Sequence, residues 1–275
     1  MIDFHLHTIY SDGEYTPFEL IRLLRENNVT SFSLTDHDST LGLKEMQVLA
    51  DAYKMEFIPG VEFEAYYDIE NEQYVHILGY NLSDLNEIDK YLVKLRNERI
   101  NLIYEYIQLF HKIGMQISFD EINALTPGIH LTTSHIAACI LKKKYVKTFE
   151  EARRKFLVPS SKYYIARNYY TTEFIIDLIV KSGGIPVLAH PCRIRMNSRK
   201  VEKFISQLKS YGLQGLEALY LCSTEEQKQY FELLAQDNGL FITAGSDWHT
   251  PKDNYNPGIK LPNEIESEMR ANLKK

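Results

Sequence analysis

The chain has 275 residues, 44% of them hydrophobic and 25% charged, which suits one large α/β domain carrying an insertion. Its net charge of −6 argues against a general nucleic-acid coat, and no apolar run approaches the ~20 residues that span a bilayer. Three cysteines at irregular spacing without a C-x-x-C pair exclude a disulfide framework; with no signal-like N-terminus, a reducing cytoplasm is expected.

Ile2 to His7 reads as a short strand ending in two histidines one residue apart, and Asp12 follows at a turn with Gly13. Side chains two apart in a strand share a face, so His5 and His7 aim at one spot. A half-buried strand holding two hydrogen-bonded histidines would show the same pattern. Thr16 and Glu19 form a capping-box pattern, with Pro17 at the first helical position, and predict an amphipathic helix to about Asn28. Thr30 to Thr35 alternates as a strand and runs into Asp36, His37 and Asp38. A helix fits Thr40 to Lys54. Glu56 to Glu62 is an apolar run closed by a carboxylate, and Tyr74 to Tyr80 is a further strand carrying His76. The alternation predicts parallel strands with helical crossovers and an active site where the strands end.

From about Asp84 the rhythm changes. Glu87 to Ile113 is one long helical pattern, followed by a capping box at Ser118 and Glu121, a turn over Thr126 to Gly128, and helices near 133–141 and 148–157. About 80 residues without a convincing strand do not fit a βα repeat. The expected organisation is therefore a barrel domain formed by 1–85 and 166–275, with a helical insertion over 86–165. Residues 86–165 carry 13 Lys and Arg against 8 Asp and Glu, while the remainder is acidic. That balance fits an anion-attracting cap, and equally a solvated helical surface.

The α/β rhythm resumes with a helix at 172–182, a strand from Ile185 to His190, and a helix near 199–211. Leu216 to Tyr220 is a strand, Ser223 and Glu226 start a helix to about Asn238, and Leu240 to Ala244 is the last strand, followed by Asp247 and His249. The polar residues at these strand ends are His5, His7, Asp12, His37, Glu62, His76, His190, Asp247 and His249. Six of the chain's nine histidines fall in this set. Taken singly, His76 reads as a core histidine, and Glu62 or Asp247 as a cap or a rim ion pair. Gathering so many ionisable groups at one rim is costly without a partner, and divalent cations are the natural one. Nitrogen and oxygen donors without thiolate leave Zn, Mn and Fe open.

The motifs His5-x-His7 with Asp12, Thr35 to Asp38, Pro59 to Glu62, His76, Ala189 to Pro191, and Gly245 to His249 resemble the successive motifs of the PHP (polymerase and histidinol phosphatase) family. The layout is similar to its stand-alone nucleotide 3′,5′-bisphosphate phosphatases and 5′–3′ exoribonucleases. The resemblance implies an α/β fold, a distorted TIM-like (β/α)7 barrel with a helical cap. It implies two or three divalent metal ions held by the nine residues above. It also implies hydrolysis of a phosphate ester by a metal-bridged hydroxide, with Asp247 and His249 in the chemistry. Arg193 matches a family arginine and is expected to hold phosphate, as is His135. One departure is plain: Thr133 stands where the family's cap has an arginine. The expected partner is a small phosphorylated substrate, a nucleotide or a short oligonucleotide, with neither a membrane nor a stable protein partner. The alternatives are a phosphodiesterase or exonuclease acting on short oligonucleotides or cyclic phosphates, and a non-catalytic metal-binding module.

Overall fold

The computed structural model describes residues 1–70, 73–126 and 130–274. The turn expected over Thr126 to Gly128 falls largely outside the described residues. Seven strands form one sheet in sequence order: β1 (Ile2–Asp3), β2 (Ser31–Leu34), β3 (Glu56–Asp68), β4 (Gln73–Tyr80), β5 (Ile185–Leu188), β6 (Gly215–Tyr220) and β7 (Phe241–Gly245). The edges meet to give a nearly closed barrel. The Phe4 N–H donates to the Ala244 carbonyl (3.0 Å), Asp247 to His5 (2.9 Å) and His7 to Trp248 (3.1 Å).

The helices between strands are α1 (Pro17–Glu26) and α2 (Leu43–Tyr53), and, later in the chain, α7 (Thr172–Lys181), α8 (Ser198–Tyr211) and α9 (Glu225–Asp237). The capping box at Thr16 and Glu19 forms as the sequence predicts, with Pro17 opening α1. Outer core residues such as Leu24, Phe32, Phe63, Ile176 and Leu216 pack the sheet against these helices. Inside the barrel Ile2, Phe4, Ile58, Leu78, Tyr80 and Val187 form a second cluster, which Met269 and Leu273 join from α10 (Asn263–Asn272) or just beyond it.

The expectation of parallel strands fails at one place. β3 and β4 follow each other without a helix and pair antiparallel, as do β4 and β5, while the other neighbours are parallel. β3 also runs on to Asp68, six residues past the carboxylate expected to close it, because the hairpin continues its ladder. β4 therefore begins at the rim where the parallel strands end, and His76 lies near its start.

The first strand is shorter than its alternation suggests. Ile2 and Phe4 face the interior while Leu6 joins the outer core, so the inward face slips by one residue after Phe4. Beyond the slip, His5 and His7 share the inward face.

Residues 86–165 contain no strand among the described residues. α3 (Asn86–Lys112) is followed by α4 (Phe119–Asn123), α5 (Thr133–Lys142), α6 (Phe149–Ala152) and a π-helical turn (Arg153–Leu157). The early part of α3 buries Ile88, Tyr91, Leu92 and Leu95 against the main core. Its later part buries Leu102, Ile103, Tyr106 and Phe110 in a separate core with Ile122, Ile136, Ile140 and Phe156. No helix among the described residues is long and apolar enough to cross a membrane.

Candidate metal centre

Each loop at the rim is fixed by buried hydrogen bonds before it presents a side chain. Asp36 accepts from the Thr8 N–H (2.7 Å) and from the hydroxyls of Thr8 (2.7 Å) and Ser11 (2.6 Å), which holds the loop that carries Asp12. Burial raises its pKa to about 6 against these bonds. Asp3 accepts from the Ser246 N–H (3.0 Å) and the Gly258 N–H (2.7 Å), anchoring the segment before Asp247. His190 and Asp247 both adopt positive φ, 27° and 57°, which turns their side chains sharply at the strand ends.

The nine residues expected at the rim are brought together. Glu62, fully buried on β3, is the hub. One of its carboxylate oxygens lies 3.1 Å from His5 Nε2, 3.2 Å from His7 Nε2 and 3.1 Å from His37 Nδ1. The other lies 2.7 Å from His76 Nδ1 and 3.1 Å from His190 Nε2. Asp247 Oδ1 lies 3.3 Å from His5 Nε2 and 3.2 Å from His7 Nε2. Asp12 sits further out, 3.3 Å from His249 Nε2 and 3.8 Å from His37 Nε2. Three groups of donor atoms converge closely enough to share an ion: His5, His7, Glu62 and Asp247; His7, Asp12, His37 and His249; and His37, Glu62 and His76.

Convergence alone could mean a hydrogen-bonded cluster, but the angles say otherwise. His5 Nε2, His7 Nε2, Asp12 Oδ1 and Glu62 Oε2 are all sealed from solvent, and none makes an aligned hydrogen bond. Leaving four such atoms unpaired is costly, and a bound cation relieves the cost. The donor set is imidazole and carboxylate, which suits a borderline or hard divalent ion.

The electrostatics agree. Burial opposes charge on His5, yet Glu62, Glu217 and Asp247 outweigh it and raise its pKa well above the ordinary value. His7 is likewise pushed up to about 10 by Asp247 and Glu62 against burial. Burial works against the Glu62 carboxylate too, but His37, His5 and His76 hold it well below its usual range. His37 is pushed down to about 3, chiefly by burial. The carboxylates thus create a strongly cation-attracting point that protons occupy when nothing else does.

His249 donates from Nδ1 to the Asp247 backbone carbonyl at 2.8 Å, and its Nε2 faces Asp12 at 3.3 Å. Arg193 pairs with Asp247 Oδ2 at 2.8 Å, hydrogen-bonds Tyr220 Oη and keeps its side chain half exposed. His135 lies on α5 and lines a cavity of about 640 Å³ together with Asp12, His37 and His76. Thr133 lines the same cavity.

Sequence reasoning missed several residues that build the site. Glu217, fully buried on β6, accepts from His5 Nδ1 (3.0 Å) and from the His190 N–H (2.7 Å). Its signal was a lone carboxylate in an otherwise apolar strand. Arg99 on α3 pairs with Asp38 at 2.6 Å and reaches His130 Nδ1 at 3.3 Å. Neither had a local signal, since contacts across 31 and 61 positions leave no periodic trace.

The PHP domain model matches residues 3–212. A 5′-3′ exoribonuclease of Haemophilus influenzae is 28% identical over 253 residues, covering 90% of each chain. A 3′,5′-nucleoside bisphosphate phosphatase of Chromobacterium violaceum is 28% identical over 252 residues, covering 91% of this chain and 87% of its own. The solved structure of an amidohydrolase from Chromobacterium violaceum, with bound sulfate and no metal, superposes with a TM-score of 0.78 at 28% identity, covering 98% of this chain and 96% of the other. The barrel, the converging histidines and carboxylates and these matches agree: the chain belongs to the PHP domain family and is a hydrolase of phosphate esters.

Proposed function

We propose that the chain hydrolyses a phosphate ester of a nucleotide or another small phosphorylated metabolite. The observation that carries this reading is the convergence of sealed, unaligned donor atoms on Glu62 and Asp247, beneath a cavity large enough for a nucleotide. The names of the two relatives support a nucleotide as the substrate class.

In this reading His5, His7, Asp12, His37, Glu62, His76, His190, Asp247 and His249 hold two or three divalent ions, with Mn, Fe and Zn all compatible with the donors. When bound, such ions supply Lewis acidity towards a phosphoryl oxygen and a source of hydroxide at neutral pH. The chain's own residues do the rest. Asp247 orients His5 and His7 on one side and Arg193 on the other. Arg193, half exposed, turns its guanidinium from Asp247 to an incoming phosphoryl oxygen. His249 acts through its Nε2, as a ligand or in protonating the leaving group. His135 contributes from the cap. Residues 86–165 form that cap over the barrel of 1–85 and 166–275, and their separate core supports the division.

A second reading, a phosphodiesterase acting on short oligonucleotides or cyclic phosphates, is favoured by one feature. A further cavity of about 420 Å³ also reaches His37, from the side of Tyr10 and Phe119. A diester has substituents on both sides of phosphorus, and two cavities meeting beside the centre give both of them room. The test is hydrolysis by the protein loaded in turn with Mn, Fe and Zn. Substrates are phosphomonoesters, a nucleotide 3′,5′-bisphosphate, a cyclic nucleotide and a short RNA, with Asp247→Ala as control. Release by the wild type that Asp247→Ala abolishes is expected; no hydrolysis under any loading would overturn the proposal.

A further inference from the structure

The cap lacks an arginine at Thr133, yet two imidazoles stand on either side of that position and line the same cavity. Their tautomers follow from their partners. A guanidinium can only donate, so the contact between Arg99 Nη1 and His130 Nδ1 at 3.3 Å makes Nδ1 the acceptor and places the hydrogen of the neutral ring on Nε2. The backbone N–H of Thr132 donates to His135 Nδ1 at 3.1 Å, with the same result. Neither Nε2 has a hydrogen-bond partner among the described residues, and both residues line the cavity.

His130 is held more firmly than a loop residue needs to be. Its backbone N–H donates to the Ser11 carbonyl at 3.4 Å, which ties the cap segment to the loop carrying Asp12. Its ring lies 5.5 Å from that of His37, centroid to centroid. Arg99, which fixes the ring from the far side, is itself locked to buried Asp38 at 2.6 Å. The ring also stands where the two cavities meet, since both are lined by His37, Asp38, Arg99 and His130. A side chain fixed by backbone, ring contact and guanidinium, with one N–H left open beside the metal centre, is preorganised to donate.

We propose that His130, set by Arg99 as a positioning residue, is a substrate-binding residue that donates Nε2–H to an anionic oxygen of the phosphoryl group. With His135 it replaces by two neutral donors what a single guanidinium at position 133 would supply. The proposal rests on the phosphoesterase reading for its substrate, but it can be measured without turnover.

The experiment is calorimetric binding of inorganic phosphate to the full chain loaded with manganese. His130→Ala is expected to weaken phosphate about tenfold or more, the share of one hydrogen bond to a charged group. His130→Gln, whose amide places an N–H near the Nε2 position, should recover most of the affinity. Adding Thr133→Arg to His130→Ala should also tighten binding relative to His130→Ala alone. Circular dichroism checks the fold. If His130→Ala does not fold, His130→Asn, whose amide reaches only the Nδ1 position, takes its place. The proposal is overturned if a folded variant lacking the donor binds phosphate as the wild type does, if His130→Gln is as weak as His130→Ala, or if the wild type binds no phosphate. A wild type that follows this phosphate series but hydrolyses no ester would leave the binding role standing and overturn the proposed activity instead.

Discussion

Glu217 places one carboxylate oxygen 3.0 Å from Nδ1 of His5, on the opposite edge of the ring from Glu62. Its other oxygen accepts the N–H of His190 at 2.7 Å. One buried carboxylate thus fixes the tautomer of His5 and the backbone of His190 together, leaving His5 Nε2 as the lone-pair edge towards the centre. Glu217→Gln keeps the volume but weakens the acceptor. It is expected to lower manganese affinity by about 10–100-fold, as losses around ligating histidines usually do. Unchanged affinity in a metal titration would remove Glu217 from the site.

Gly245 lies where β7 passes under that pair. A methyl group there would come within 2.3 Å of both Glu217 Oε1 and His5 Cβ, closer than packed atoms approach. Gly245→Ala should therefore cost about 1–3 kcal/mol in denaturant unfolding, as overpacking does, and also loosen metal binding. A variant matching the wild type in both measurements would show that the strand can shift at no cost.

The metal-free and metal-loaded chains should respond oppositely to pH. His5 has a raised pKa, so the stability it adds without metal is complete below its ordinary 6.5 and is lost as pH rises through the elevated value. Glu62 has a lowered pKa, so its share is complete above 4.5 and is lost as pH falls through the depressed value. Between 4.5 and 6.5 the metal-free protein has both. A divalent ion instead needs unprotonated imidazoles, so proton competition weakens as pH rises. The gain in Tm on adding manganese should therefore be larger near pH 8 than near pH 6. A gain that shrinks with rising pH would argue against ligation by these histidines.

Phe110 is fully buried in the separate core of the later part of α3 and meets Phe156 edge-on, ring centroids 5.4 Å apart. Phe110→Ala should destabilise that core by about 3–5 kcal/mol. If the cap is a unit of its own, hydrogen exchange should rise in 102–157 while β5 to β7 stay protected. Equal loss of protection in both regions would show one cooperative body.

Much of this was legible in the residues, for identifiable reasons. Capping boxes at Thr16 and Ser118 formed because hydroxyl and carboxylate three residues apart satisfy each other locally. The clustering of rim residues followed from strand alternation and the barrel. The direction of β4 was not legible, because a hairpin and a crossover leave similar apolar runs. Arg99 and His130 were hidden for another reason: their meaning lies in what faces them across the cavity.

The long helix α3 contains neither glycine nor proline, and its 27 residues span about 40 Å. Its two halves are embedded in different cores, so it offers no natural hinge between them. The helices of 86–165 should then move with the sheet instead of opening and shutting over it. Which esters enter would be decided by the fixed width of the cavity mouth, and not by the timing of a gate. Stopped-flow mixing is accordingly expected to show no closing phase before turnover, and a distinct slow phase preceding product would contradict this.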